Sequence, residues 1–297
     1  MNDGGSILEF IHVTSNNREQ ILLQTKPCVM ALGFFDGVHL GHQKVIKEAK
    51  RAAEEQDLPL VVMSFFPHPK EVLSNGTNII PYLMPMKDKR RIFEDLGVDC
   101  FYLIQFTKEF AGLSPRDFVQ TYLLNFGAKQ VVAGFDFTYG HRGEGNMDTM
   151  NRDSDGKLEG IKVEKIEREG EKISSTLIRQ LVLAGEVERI SSFLGNDYQS
   201  EGRIAFRKKH VEVALHPYYL MPTSGWYEVT VNLHQETTTQ IAVVRDGRLT
   251  LLSLLEQVFP YYEGETVRLS WRKVLPAGVV YKNISSQVFL RSSLVGL

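Results

Sequence analysis

Five short apolar runs punctuate the first ~190 residues: Cys28 to Leu32, Leu60 to Phe65, Cys100 to Gln105, Gln130 to Phe135 and Ile161 to Glu167. They constrain the fold more than any other feature, because they alternate with stretches of helical spacing in the rhythm of a parallel sheet. "GHQKVIKEAKRAAEEQ" (Gly41 to Gln56) and "KDKRRIFEDLG" (Lys87 to Gly97) read as helices. A third, "SPRDFVQTYLLNFG" (Ser114 to Gly127), has Ser at the N-cap, Pro at the first helical position and Gly at its end. The alternation predicts an α/β parallel-sheet, Rossmann-like domain. Such sheets bind ligands at the carboxyl ends of their strands.

After "LAGEVERISSFLG" (Leu183 to Gly195) the texture changes. From Arg203 onward the runs "RIAFRK", "WYEVTVNLH", "TQIAVVRDG", "TVRLSWRKVL" and "SQVFLRSSL" alternate with period two, and turns such as Asp246-Gly247 separate them. A second, mostly β domain is expected, with one helix near Leu254 to Phe259. The boundary is set at 195/196, and 297 residues fit two domains better than one core.

Formal charge is balanced at -2, so no global basic field draws the chain to nucleic acid or anionic membrane. No apolar run approaches the roughly 20 residues that span a bilayer, and "MNDGGSILEF" lacks the pattern of a signal peptide. A cytoplasmic protein is expected, free of nucleic acid and membrane partners. Cys28 and Cys100 each lie in an apolar run with no CxxC partner and read as buried small hydrophobes. Nothing in the sequence marks an oligomeric interface.

The chemistry concentrates in "GFFDGVHLGH", Gly33 to His42, directly after the first apolar run. His39 precedes a helix and His42 falls in its first turn, near the positive end of the helix dipole. Imidazoles there can donate to an anion, and glycines at 33, 37 and 41 let backbone approach it. Taken alone, the pair is open to a capping or surface role first, then to phosphate, then to metal. A zinc site lacks a third ligand at suitable spacing, since His68 sits in "FFPHPKEVL" without a Cys or Glu arranged to join it.

This stretch is similar to the G-x-F-D-G-x-H-x-G-H signature of the bacterial FAD synthetases, a branch of the H-x-G-H nucleotidylyltransferases. "SFFPHPKEVL" (Ser64 to Leu73), "AGFDFTYGHRGEGN" (Ala133 to Asn146) and "ISSTLIRQLVLAGEVERISSFLG" (Ile173 to Gly195) resemble the same family in the same order. The resemblance implies transfer of AMP from ATP to FMN, giving FAD and pyrophosphate, with Mg²⁺ carried mainly by the ATP phosphates and no protein metal ligand assigned. It implies catalytic roles for His39, His42 and Arg179, and ATP binding by Gly33, Phe35, Asp36, Gly37, Gly41, Ser174, Ser175 and Thr176. By the same resemblance Phe65, Pro67, His68, Pro69, Asp136, Phe137 and Tyr139 line the flavin pocket. Two positions depart from many members, which carry Asn and Asp where this chain has Phe34 and Phe66.

The second domain resembles the riboflavin kinase barrel of the bifunctional members, but the kinase depends on Gly-Phe-Pro-Thr-Ala-Asn. Glu201 to Glu228 contains no such sequence, and in "LTLLSLLEQVF" (Leu249 to Phe259) a leucine stands where the acidic base is expected. Without metal ligands or base, phosphorylation has neither charge neutralisation nor proton removal, so kinase activity is expected to be absent. Two other readings compete: an H-x-G-H nucleotidylyltransferase with another phosphate acceptor, and a flavin-binding regulator that has lost catalysis.

Overall fold

The computed structural model describes residues 8–78, 80–207, 210–252 and 262–276. Its backbone contacts divide into two units, the described residues up to Ile80 with Pro85–Ile173, and Pro81–Met84 with the described residues from Ser174 onward.

The first unit is built on strands β1 (Glu9–Val13), β2 (Cys28–Leu32), β3 (Leu60–Phe66), β4 (Cys100–Gln105), β5 (Ala128–Gly134) and β8 (Glu159–Val163). They form one parallel sheet in the order β1-β4-β3-β2-β5-β8. Two small antiparallel hairpins join it, β6 (Thr138–Tyr139) with β7 (Gly145–Asn146) and β9 (Glu167–Arg168) with β10 (Glu171–Lys172). The helices are α1 (Arg18–Leu22), α2 (Leu40–Glu55), α3 (Pro69–Leu73), α4 (Met86–Asp95), α5 (Lys108–Ala111), α6 (Pro115–Phe118) and α7 (Met150–Asp153).

Burial explains the strand composition. All five residues of β2 are buried, as a strand covered on both faces requires. Helix α2 lies against β2, β3 and β5 and buries Val45, Ile46, Ala49, Ala52 and Ala53. Burying side chains the size of Val45 and Ile46 stabilises by about 1.5–3 kcal/mol each. On the opposite face Met30, Met63 and Tyr102 pack with Phe118, Tyr122 and Phe126. Cys28 and Cys100 are buried there without a disulfide, and burial pushes both thiols up to about 12.

The sheet reverses its order of growth at β2. From that strand β3 and β4 add on one side, while β5 and β8 add on the other. The ends of β3, β2 and β5 are therefore neighbours at the switch point, where open α/β sheets bind ligands. Those three ends lead into Pro67–Pro69, Gly33–His42 and Phe135–Tyr139.

The second unit carries α8 (Ser175–Ala184), α9 (Val187–Leu194) and a closed barrel of β11 (Tyr198–Arg207), β12 (His210–Leu215), β13 (Gly225–Leu233), β14 (Glu236–Arg245), β15 (Arg248–Leu252) and β16 (Thr266–Leu275). The barrel order is β11-β12-β15-β14-β13-β16. Its core is solid: Tyr198, Tyr227 and Trp271 are fully buried, with the Trp271 indole N–H donating to Ser200 Oγ at 2.9 Å and the Tyr198 hydroxyl to the Leu220 carbonyl at 2.7 Å.

The contact boundary corrects the one expected at 195/196 and falls between Ile173 and Ser174. The cause is the apolar face of α9: Val187, Ile190, Phe193 and Leu194 are buried, and the helix packs on α8, β11 and β16. The fifth expected strand also ends earlier than Glu167, at Val163, while β1, β12 and β15 had no counterpart among the expected strands. The expected helix near Leu254 to Phe259 and the run Ser286 to Leu294 lie outside the described residues.

Candidate active site

The chain leaves β2 through a turn that few sequences tolerate. Phe35, Gly37 and Val38 have φ of 50°, 79° and 40°. Left-handed backbone at a non-glycine residue costs on the order of 1–3 kcal/mol and persists only where its surroundings fix it. Here they do. The Phe34 carbonyl accepts two hydrogen bonds, from Ser64 Oγ and from Lys89 Nζ, each at 2.9 Å. The Phe35 ring is fully buried and edge-on to both His42 (5.3 Å between centroids) and Phe93 (5.7 Å). Gln43 Nε2 closes the turn by donating to the Val38 carbonyl at 3.0 Å.

That turn delivers both histidines to the start of α2. His39 is the N-cap, and its Nδ1 accepts the His42 backbone N–H at 3.2 Å. Neutral His39 therefore carries its proton on Nε2. The imidazoles of His39 and His42 stack at 3.6 Å and 16°. Gly41 leaves room for the His39 ring, since a Cβ there would meet its Cε1 and Nδ1 at 3.1 Å and displace the ring by a few tenths of an ångström. His42 Nδ1 is buried with no hydrogen-bond partner, a rare condition that calls for an explanation.

Electrostatics keep the pair uncharged. Burial pushes His39 down to about 4, against which its own backbone hydrogen bonding and the charge of Asp136 act in the other direction. His42 is held well below the ordinary histidine range by burial first, then by His39 and Lys89. Lys89 itself is buried and lowered to about 8, with nearby Asp36, also buried, opposing that shift. Two neutral imidazoles stand at the start of a helix, an arrangement suited to phosphate oxygens.

Beside this turn lies a cavity of about 290 Å³, close to the lower bound of about 300 Å³ for ligand sites. Four of the expected flavin contacts line it: Phe65, Pro69, Phe137 and Tyr139. Three do not. His68 uses Nδ1 to cap α3, accepting the Lys70 N–H at 3.2 Å, and packs its ring on Phe34 at 5.1 Å. Pro67 follows Phe66 through a cis peptide, and Asp136 is exposed and paired with Lys172 at 2.6 Å. Tyr139 presents its ring to the cavity while its hydroxyl donates to Asp153 at 2.9 Å. Phe34, one of the two positions that depart from many members, completes much of the wall together with Phe106, Phe110, Phe118 and Arg142, which nothing in the sequence marks.

Ser174, Ser175, Thr176 and Arg179 belong to the second unit. Ser174 is the N-cap of α8, accepting the Leu177 N–H at 3.2 Å, and Ser175 and Thr176 open the helix. Arg179 Nε donates to the Pro81 carbonyl at 2.8 Å. Among the described residues no three His, Cys, Asp or Glu side chains gather as a metal cage, and no helix is long and apolar enough to cross a membrane.

A family model described as FAD synthetase matches residues 22–177. The chain is 41% identical over 224 residues to a bifunctional riboflavin kinase/FMN adenylyltransferase of Listeria monocytogenes, covering 73% of this chain and 71% of that protein. The Bacillus subtilis protein of the same description is 40% identical over 237 residues, covering 77% and 75%. A second Listeria monocytogenes protein, described as an FAD synthetase, is 27% identical over 243 residues, covering 80% and 94%. A crystal structure described as a macrolide-efflux protein from Streptococcus pneumoniae superposes with a TM-score of 0.79 at 30% identity, covering 90% of this chain and all of that one.

Proposed function

The chain belongs to the FAD synthetase family and transfers AMP from ATP to FMN, and we propose that His39 and His42 are the centre of that reaction. A phosphate oxygen of FMN attacks the α-phosphorus of ATP. The new P–O bond forms as the bond to the β-phosphate breaks, and pyrophosphate leaves. Negative charge moves onto the α-phosphate oxygens and the leaving group, so fixed donors at those atoms accelerate the step without a protein nucleophile. His39 offers Nε2–H and His42 the second imidazole, at the positive end of α2. Their stacking, with an unpartnered, buried Nδ1 on His42, is the observation that carries this assignment.

The family resemblance alone supports assigning Ser174, Ser175, Thr176 and Arg179 to the triphosphate, with Arg179 on pyrophosphate; Gly33, Phe35, Asp36, Gly37 and Gly41 belong to the turn assigned to the ATP side. The cavity takes the isoalloxazine, which gains mainly by contact with aromatic surface. A Mg²⁺ ion arriving with ATP supplies neutralisation of phosphate charge. It would need few protein ligands, since phosphate oxygens and water would supply most of its shell, and buried Asp36 would either orient the turn or support the ion. The proposal locates the enzyme in the cytoplasm, where ATP is made, and leaves the barrel without riboflavin kinase activity.

Purified protein incubated with Mg²⁺, ATP and either FMN or riboflavin, with products resolved by chromatography, tests the reading. FAD from FMN and no FMN from riboflavin are expected. FMN formed from riboflavin overturns the inactive kinase, and no product from either flavin favours a binding protein. Gly41→Ala should push the His39 ring from its place and reduce kcat/KM by about tenfold or more, measurable in the same assay beside an unchanged melting temperature.

A further inference from the structure

Phe34 belongs to both halves of the site. Its ring is part of the cavity wall, 5.5 Å from Phe65 and 5.1 Å from His68. Its backbone leads into the left-handed turn that carries Phe35 against His42. The joint between the two is the Phe34 carbonyl, and the groups that hold it are Ser64 from β3 and Lys89 from α4.

Lys89 is unusual in its own right. Lysine is almost never fully buried unless paired, yet Lys89 is 5% exposed, with its ammonium on the Phe34 carbonyl and its charge balanced by Asp36, itself 5% exposed. The ionisable groups facing it are Asp36 from the turn and His42 from α2, with Asp88 preceding it on its own helix. A charge-assisted bond is shorter and stronger than a neutral one. It is placed on the one carbonyl whose movement would shift the cavity wall and the histidines together.

We infer that Lys89 is a positioning residue for both substrates, anchoring with Ser64 the backbone joint at which the flavin wall and the phosphate-binding imidazoles meet. The inference rests on the assignment of the cavity to flavin and of the histidines to phosphate. A residue serving only one subsite would alter one KM. Lys89 should alter flavin affinity and turnover together.

The test is a double-mutant cycle with Lys89→Met, which keeps an unbranched apolar stem and removes the ammonium, and Ser64→Ala. Steady-state rates are measured with FMN and ATP varied separately, and FMN affinity without ATP is read from flavin fluorescence. Each single variant should raise KM for FMN and lower kcat, reducing kcat/KM by about tenfold, the size of one lost hydrogen bond to a charged or buried group. The double variant should fall well short of the hundredfold product, because both act through one carbonyl. Native kcat and KM accompanied only by a lower melting temperature overturn the inference, as do independent, multiplying effects. If Lys89→Met does not fold, native kcat/KM in Ser64→Ala alone overturns it. Unmodified protein that makes no FAD overturns the functional reading beneath it, a result distinct from either of these.

Discussion

Replacing His42 with alanine should lower FAD formation by about 10²–10³-fold, the usual effect of removing one preorganised donor from a charged transition state. The melting temperature should hold or rise. His42 Nδ1 is buried without a partner, and an unmet polar atom of this kind costs on the order of 1–3 kcal/mol. Truncation relieves that cost while losing the contact with the Phe35 ring edge, so the two changes oppose one another. A residue kept for structure would show the reverse pattern, with stability lost and turnover retained. Near-native turnover in His42→Ala would refute the role assigned to it; the measurement pairs chromatographic rates with thermal unfolding.

Acidification should destabilise the protein before its carboxylates are neutralised. His39 titrates near 6.5 when unfolded and near 4 in the folded protein, where burial disfavours the imidazolium. Above the unfolded value both states are neutral and the group contributes nothing that depends on pH. Below it the unfolded chain gains a proton that the folded one refuses, so stability falls as pH drops from about 6.5 to about 4 and then levels. By about pH 5 the loss from His39 alone is about 2 kcal/mol, and His42, shifted in the same direction, adds to it. Thermal unfolding of native and His39→Asn protein across that range gives the measurement. The variant should lose much of the slope, and equal slopes in the two proteins would exclude His39 as its source.

What the sequence made legible follows from local physics. Apolar runs ending in glycine or proline exposed β2, β3 and β5, and the histidines could be placed at a helix start because capping and dipole effects act within one turn. Long-range decisions stayed hidden. Lys89 sits in "KDKRRIFEDLG", which reads as a solvated charged face, and only the approach of the Phe34 carbonyl, 55 residues earlier, makes it a buried anchor. Phe106, Phe110 and Phe118 read equally well as core, since nothing local separates an aromatic that fills space from one that borders a cavity. Asp136 and His68 were assigned to flavin by resemblance, whereas one is engaged by Lys172 and the other by the start of α3. Strand β1 is a short mixed run, Glu9–Val13, and among the described residues it pairs with β4 alone, about ninety residues on, so nothing local marks it.

That last pairing also sets a timetable for synthesis. Glu9 lies opposite Cys100 and Val13 opposite Ile104, so the earliest of the six strands to leave the ribosome waits for some ninety further residues before its partner exists. Strand β2 likewise meets β3 soon but β5 only much later, Leu32 pairing with both Met63 and Ala133. Contacts this distant along the chain slow folding and leave apolar strands uncovered in the nascent polypeptide. The barrel mixes both kinds: β13 pairs with β14 and β14 with β15, but β11 closes on β16, Tyr198 opposite Trp271. In both units, then, an apolar strand stands uncovered during translation until a distant partner has been made.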